Sequence, residues 1–264
     1  MNIRTIFVAI FLLWLHAAHA ATPLLDRGVA GLSSGDSIQS SLEQLDSHCE
    51  AVRNVSIKSP SFPLAQNSEV HLICQNFSWN AETVGLLALT FADDSLVMIY
   101  AQGNATDLFL GFATGPVQDY LQFSASFEDL LVTDREADKA WVLSAEAAHP
   151  NLFMWTNPYI SNSDRVEYDP SVKIPEILGF GNSLEKLLPL YEAQCDFNHL
   201  GTYRVWLLNQ PEVQQQVDCF GFEFAGFLRK IEAVFGDGIL EQSWILTGKG
   251  EEDRVRQALI AEYG

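Results

Sequence analysis

Cysteine placement constrains this chain more than any other feature. Cys49, Cys74, Cys195 and Cys219 form two pairs separated by 25 and 24 residues. An even cysteine count in an exported protein reads as a disulfide framework. Four cysteines allow three connectivities, and the near-equal spacings select Cys49–Cys74 and Cys195–Cys219. Each closure contributes about 3 kcal/mol in the chain-entropy account. A zinc site is the rival reading, but C-x2-C pairs are absent, and no metal is expected.

Export is read from the N-terminus. Arg4 supplies a positive start, Ile6 to Leu15 an apolar run, and Ala18-His19-Ala20 a small-x-small end. These are the parts of a signal peptide, with cleavage expected after Ala20. The run is shorter than the roughly 20 residues that span a bilayer. No cysteine stands at the junction to carry a lipid, and no later segment reads as a transmembrane helix. The expected location is the periplasm or the medium. The chain is 48% hydrophobic, enough for a packed core, and its formal charge of −19 repels nucleic acid and anionic membranes. Such a charge favours a cationic protein or peptide partner, although acidity also serves plain solubility.

The cysteine pairs belong to a longer self-similarity. Ser41-Leu42-Glu43-Gln44-Leu45 recurs as Ser183-Leu184-Glu185-Lys186-Leu187, and Glu50-Ala51 as Glu192-Ala193. After the second cysteine of each pair, Phe77 and Trp79 correspond to Phe222 and Phe224. Phe91-Ala92-Asp93-Asp94-Ser95-Leu96 then matches Phe235-Gly236-Asp237-Gly238-Ile239-Leu240. Leucines three and four apart predict a short helix in each copy. Period-two alternation predicts the strands that follow, with Gln75, Phe77 and Trp79 on one face, and Phe220, Phe222 and Phe224 on one face. Asp93-Asp94 and Asp237-Gly238 supply hairpin turns, because Asp and Gly tolerate positive φ. The expected fold is α+β: two tandem related units, each a helix on an antiparallel meander, joined by a β-rich segment.

A helix followed by a meander ending in F-x-D-G-x-L resembles the repeat of the β-lactamase inhibitor protein, and the unit of small outer-membrane assembly lipoproteins of the SmpA/OmlA type. The resemblance covers roughly residues 38–103 and 182–247. It implies a binding or inhibitory surface on the sheets and carries over no catalytic residue. The absent lipidation cysteine and the long segment between the copies depart from these families.

The expected organisation is a signal peptide at 1–20, a flexible leader at 21–37, a first α+β unit at 38–116, a β-rich connecting segment and linker at 117–181, and a second unit at 182–264. The connecting segment either extends the first sheet or builds its own. Gly31-Leu32-Ser33-Ser34-Gly35 matches G-x-S-x-G but lacks the strand-to-helix setting that a nucleophile elbow requires. The histidines are scattered and show no metal-binding spacing. Four residues are singled out as a binding surface: His149, Trp155 and Asn157 on the connecting segment, and Glu223 beside Cys219 and Gly221. His149 also reads as a turn residue, and Glu223 as a solvent-face acid. With no catalytic constellation and no cofactor signature, the reading leans to an exported non-catalytic binding or accessory protein, such as an inhibitor of a basic extracellular enzyme. The alternative is a periplasmic hydrolase with its site between the units.

Overall fold

Ser37 starts the first helix. Its Oγ accepts the N–H of Ser40 at 3.1 Å, satisfying one of the orphan donors at a helix N-terminus. The computed structural model describes residues 29–109, 117–118, 121–125, 129–161 and 167–264. The signal peptide expected at 1–20 lies outside them. Helix α1 (Ile38–Leu45) leads into β1 (Ala51–Ile57), β2 (Glu69–Trp79), β3 (Glu82–Ala92) and β4 (Ser95–Gln102). A short helix α2 (Ala105–Phe109) precedes β5 (Val117–Gln118), β6 (Leu121–Ala125), β7 (Asp129–Asp134), β8 (Lys139–Ser144) and the single turn α3 (Ala145–Ala148). Helix α4 (Leu184–Gln194) runs through Pro189, and is followed by β9 (Phe197–Tyr203), β10 (Gln214–Phe224), β11 (Phe227–Gly236), β12 (Ile239–Ile245) and helix α5 (Glu252–Tyr263).

The fold mixes these helices with two antiparallel sheets, ordered β1-β2-β3-β4-β8-β7-β6-β5 and β12-β11-β10-β9. The connecting segment therefore extends the first sheet, with β8 paired along β4. Disulfides link Cys49 to Cys74 and Cys195 to Cys219, each with Cα atoms 5.5 Å apart. The first bridge ties the start of β1 to β2, and the second ties the end of α4 to β10.

The structure departs from the sequence reading at several places. Ser183, like Ser37, is a helix N-cap, whereas Ser41 lies buried inside α1; the two serines matched by sequence occupy different places. Positive-φ residues interrupt the alternation at Asn76 (φ 49°), where the β2–β3 register is kept, and at Gly221 (φ 78°), where the β10–β11 register shifts by one residue. Phe77 consequently joins the core of Cys74, while Gln75 points to solvent. Phe222 and Phe224 pack with Cys219, while Phe220 turns to the other side among Phe153, Phe197 and Phe227. Glu223 thus lies opposite Cys219, not beside it. In the described part of the leader, Val29 and Leu32 are buried in the first core, and the G-x-S-x-G segment is a turn closed by a bond from Ser33 N–H to Asp36. The supposed linker also contributes core, since Val172, Ile177 and Leu178 pack with Leu187 and Tyr191 of α4.

A third cluster joins the two sheets. It brings Phe62, Phe153 and Trp155 against Phe197, Phe220 and Phe227, with Phe197 and Phe220 stacked at 4.4 Å. Beyond it, Gly248 and Gly250 lie against the backbone of Pro63 and Leu64. Buried Arg229 is held by Glu251, one of its two bonds measuring 3.0 Å.

Candidate functional site: an acidic aromatic cleft at the sheet junction

Trp155 reaches the junction through a chain reversal. Ser144 ends β8 and caps α3 by accepting the N–H of Ala147 at 3.3 Å. Asn151 then adopts φ 58°, a left-handed conformation that Asn tolerates. One 3-10 turn, Leu152–Met154, delivers Trp155 edge-on to Phe62, with ring centroids 4.9 Å apart.

A buried polar network fixes the segment that follows. Asn157 directs Nδ2 at Nδ1 of His71 (3.3 Å), and its Oδ1 accepts the N–H of Tyr159 (2.9 Å). His71 Nε2 lies 2.9 Å from Glu69 Oε1, and its Nδ1 lies 3.2 Å from the hydroxyl of Thr90. The other Glu69 oxygen accepts the backbone N–H groups of Ser61 (2.7 Å) and Phe62 (3.0 Å). Burial works against the charge on Glu69, but the His71 bond and the two backbone donors outweigh it and hold the carboxyl below its ordinary range. The partners assign the tautomer, with the proton on Nε2 and Nδ1 accepting. Glu69, His71 and Thr90 have the order of a carboxylate–imidazole–hydroxyl relay, yet all three are 0% exposed. Trp155 and Tyr159 lie over the imidazole at 5.6 and 4.8 Å. The network anchors backbone and offers no substrate a path to the hydroxyl.

A cleft of about 350 Å³ opens between this segment and the second sheet. Trp155 and Pro158 form one wall, and Phe227, at the start of β11, forms another. Glu167, Tyr168 and Pro170 complete it. Burial raises the pKa of the Tyr168 phenol, and the charges of Asp196 and Glu223 raise it further, so carboxylates crowd this end. Glu223 also accepts the N–H of Asp169. Burial raises the Asp196 carboxyl. The nearby cations are engaged: Arg254 bonds Ala225 O and Glu251, and Arg229, 5.8 Å from the Phe227 ring, is held by Glu251. No lysine or arginine lines the cleft among the described residues.

The four singled-out residues therefore separate. Trp155 lines the cleft, Asn157 positions the segment behind it, and Glu223 stands at its acidic margin. His149 caps α3 on an exposed surface and lines no part of this cleft. Sequence reasoning missed Tyr168, Phe227 and the Glu69–His71 pair. The pair carried a signal, since Glu69 and His71 stand two apart on an otherwise apolar strand and so share one face. No group of three or more potential metal ligands occurs among the described residues, and none of their helices is long and apolar enough to cross a membrane. No protein-family model, curated protein or solved structure matches this chain.

Proposed function

We propose that this chain is an exported binding or accessory protein of two related units, whose junction cleft receives a cationic group from a basic protein or peptide. The observation that carries the proposal is the cleft itself: aromatic faces of Trp155, Tyr168 and Phe227 beside Glu167, with Glu223 and Asp196 near. Aromatic faces attract guanidinium and ammonium groups by cation–π interaction, more strongly when desolvated. The formal charge of −19 steers a basic partner toward the surface. Two disulfides and no free cysteine among the described residues fit folding in an oxidising compartment such as the periplasm or the medium.

Matched hydrogen bonds support the reading as two related units. The N–H of Gly35 bonds Leu96 O, and that of Gly181 bonds Leu240 O; the N–H of Leu96 bonds Asp36 O, and that of Leu240 bonds Asn182 O. Glu69 accepts two consecutive backbone donors from Ser61 and Phe62, as Gln214 does from Trp206 and Leu207. The hydrolase alternative gains no such support, because no described histidine lines the cleft.

The test is a titration with the peptide Ac-Arg-Arg-Gly-NH2 and its citrulline counterpart, which keeps the shape and removes the charge. The arginine peptide should quench tryptophan fluorescence and bind more weakly as salt rises from about 0.1 to 1 M, where the screening length falls from roughly 10 to 3 Å. Equal binding of both peptides, or no binding of either, would reject the proposal.

A further inference from the structure

A second cleft lies on the other part of the Trp155 segment, with a different chemistry. Along the β4–β8 ladder, Tyr100 stands opposite Trp141, and Gln102 opposite Lys139. Period-two alternation puts these four side chains, with Met98, on one face of the first sheet. The returning chain covers that face with Phe153, Trp155 and Ile160, enclosing about 250 Å³. Trp155 and Thr156 are shared with the junction cleft; Tyr100, Trp141 and Lys139 belong to this one alone.

The cleft has an apolar body and a donor-rich end. Tyr100 and Trp141 rings lie 5.5 Å apart, and Trp141 meets Phe153 edge-on at 6.2 Å. The Tyr100 hydroxyl donates to Gln102 Oε1 at 2.7 Å, so the Gln102 amide nitrogen remains a donor. Burial, aided by the charge of Asp134, pushes the Tyr100 phenol up to about 12, so it stays a donor at neutral pH. Asp134 stands opposite Lys139 on β7 but spends Oδ1 on the N–H of Ala137 at 2.9 Å. No carboxylate lies within 4.0 Å of the Lys139 ammonium among the described residues. Lys139 thus brings an ammonium without an ion partner among the described residues to the rim of an aromatic cavity.

We propose that this second cleft binds a small amphiphilic carboxylate, its apolar body between Trp141, Phe153 and Trp155 and its carboxylate on Lys139 and Gln102. Apolar walls with a few convergent polar groups are the ordinary make-up of a small-molecule site. The volume falls just below the roughly 300–1,000 Å³ of sites for drug-sized ligands, so the occupant is of fragment size. One ammonium matches one carboxylate charge. A phosphate monoester, carrying about −1.5 to −2, would be left undercompensated beside Asp134.

The probes are 3-phenylpropionate, its neutral amide, and 3-phenylpropylamine, titrated into the full chain and followed by tryptophan fluorescence and by the Trp141 indole N–H signal. The acid should bind about tenfold more tightly than the amide, as one charge-assisted hydrogen bond allows, and the amine should bind most weakly. Lys139→Met should erase the preference for the acid, and Lys139→Arg should keep it, with thermal melts confirming that both variants fold. Glu167→Gln, in the junction cleft, should leave acid binding unchanged, so this proposal and the cationic-partner reading fail independently. Equal binding of acid and amide, a preference surviving in Lys139→Met, or an unperturbed Trp141 signal at millimolar acid would overturn it.

Discussion

Asn157 points its side-chain amide at Nδ1 of His71 from 3.3 Å, across 86 residues of sequence. Through that contact a single buried imidazole fixes the segment that walls both clefts. Because His71 is also held by Glu69 and Thr90, the segment is anchored to β2 and β3 of the first sheet. Replacing His71 with Ala leaves the Glu69 carboxylate buried without its imidazole partner and should cost about 3–5 kcal/mol. Asn157→Ala should cost about 1–3 kcal/mol and loosen the packing of Trp155. Urea unfolding measures both, and near-neutral outcomes would refute the anchoring role.

Acid sensitivity follows from three carboxylates held below their ordinary values. At Glu69, Asp93 and Asp138, burial pushes upward and hydrogen bonding outweighs it. The N–H groups of Gln66, Asn67 and Ser68 do this at Asp93, and those of Thr106 and Asn104 at Asp138. A group with a lower pKa when folded contributes stability above its unfolded value and loses it as pH falls through the folded value. Stability should therefore decline from about pH 4.5 downward, starting from the ordinary values of 4.5 for Glu and 3.8 for Asp. Asp196, raised by burial, acts in the opposite sense. Denaturant midpoints measured against pH should show the decline, and Asp93→Asn should flatten part of it.

Two glycines of like backbone conformation should respond differently to Ala. Gly221 has φ 78°, and an added Cβ would stand 2.1 Å from Asp196 Oδ2 and 2.7 Å from its Cβ. Gly238 has φ 77° with nothing within 4 Å. Gly238→Ala should cost about 1–2 kcal/mol, the left-handed penalty alone. Gly221→Ala should cost clearly more, because β10 or the start of β9 must also shift. Thermal melts of the two variants decide it; equal losses would mean that Asp196 swings aside freely.

Peptide mapping without reduction should give one linked pair containing Cys49 and Cys74 and another containing Cys195 and Cys219. The folded chain should take up no thiol label. Any peptide linking Cys49 to Cys195 would contradict the fold, since the two bridges here lie on different sheets.

Much of this fold was legible because it is local. Cysteine spacing, the Asp-containing turns at Asp93 and Asp237, and the leucine spacing of α1 and α4 depend on neighbours in sequence. What could not be read were single-residue breaks in the alternation. Asn76 brings Phe77 to the core face of Cys74, and the bulge at Gly221 separates Phe220, in the central cluster, from Phe222 and Phe224, leaving Glu223 toward the cleft margin. Lys230 lies between Asp218 and Glu232, 3.2 and 2.7 Å away, and its contact with Asp218 on β10 forms only once the two strands are in register. The cleft was legible only as Trp155 and, loosely, Glu223. Its remaining walls, Tyr168 and Phe227, come from segments that meet only in the folded chain.

The most direct test of the cationic-partner account follows the indole N–H signal of Trp155 during titration with Ac-Arg-Arg-Gly-NH2. The account predicts a saturating shift at Trp155, stronger than at Trp206 between β9 and β10 or at Trp244 on β12, and largely lost in a Glu167→Gln, Glu223→Gln double variant. Shifts spread evenly over the acidic surface, or a Trp155 response unchanged in the double variant, would contradict it.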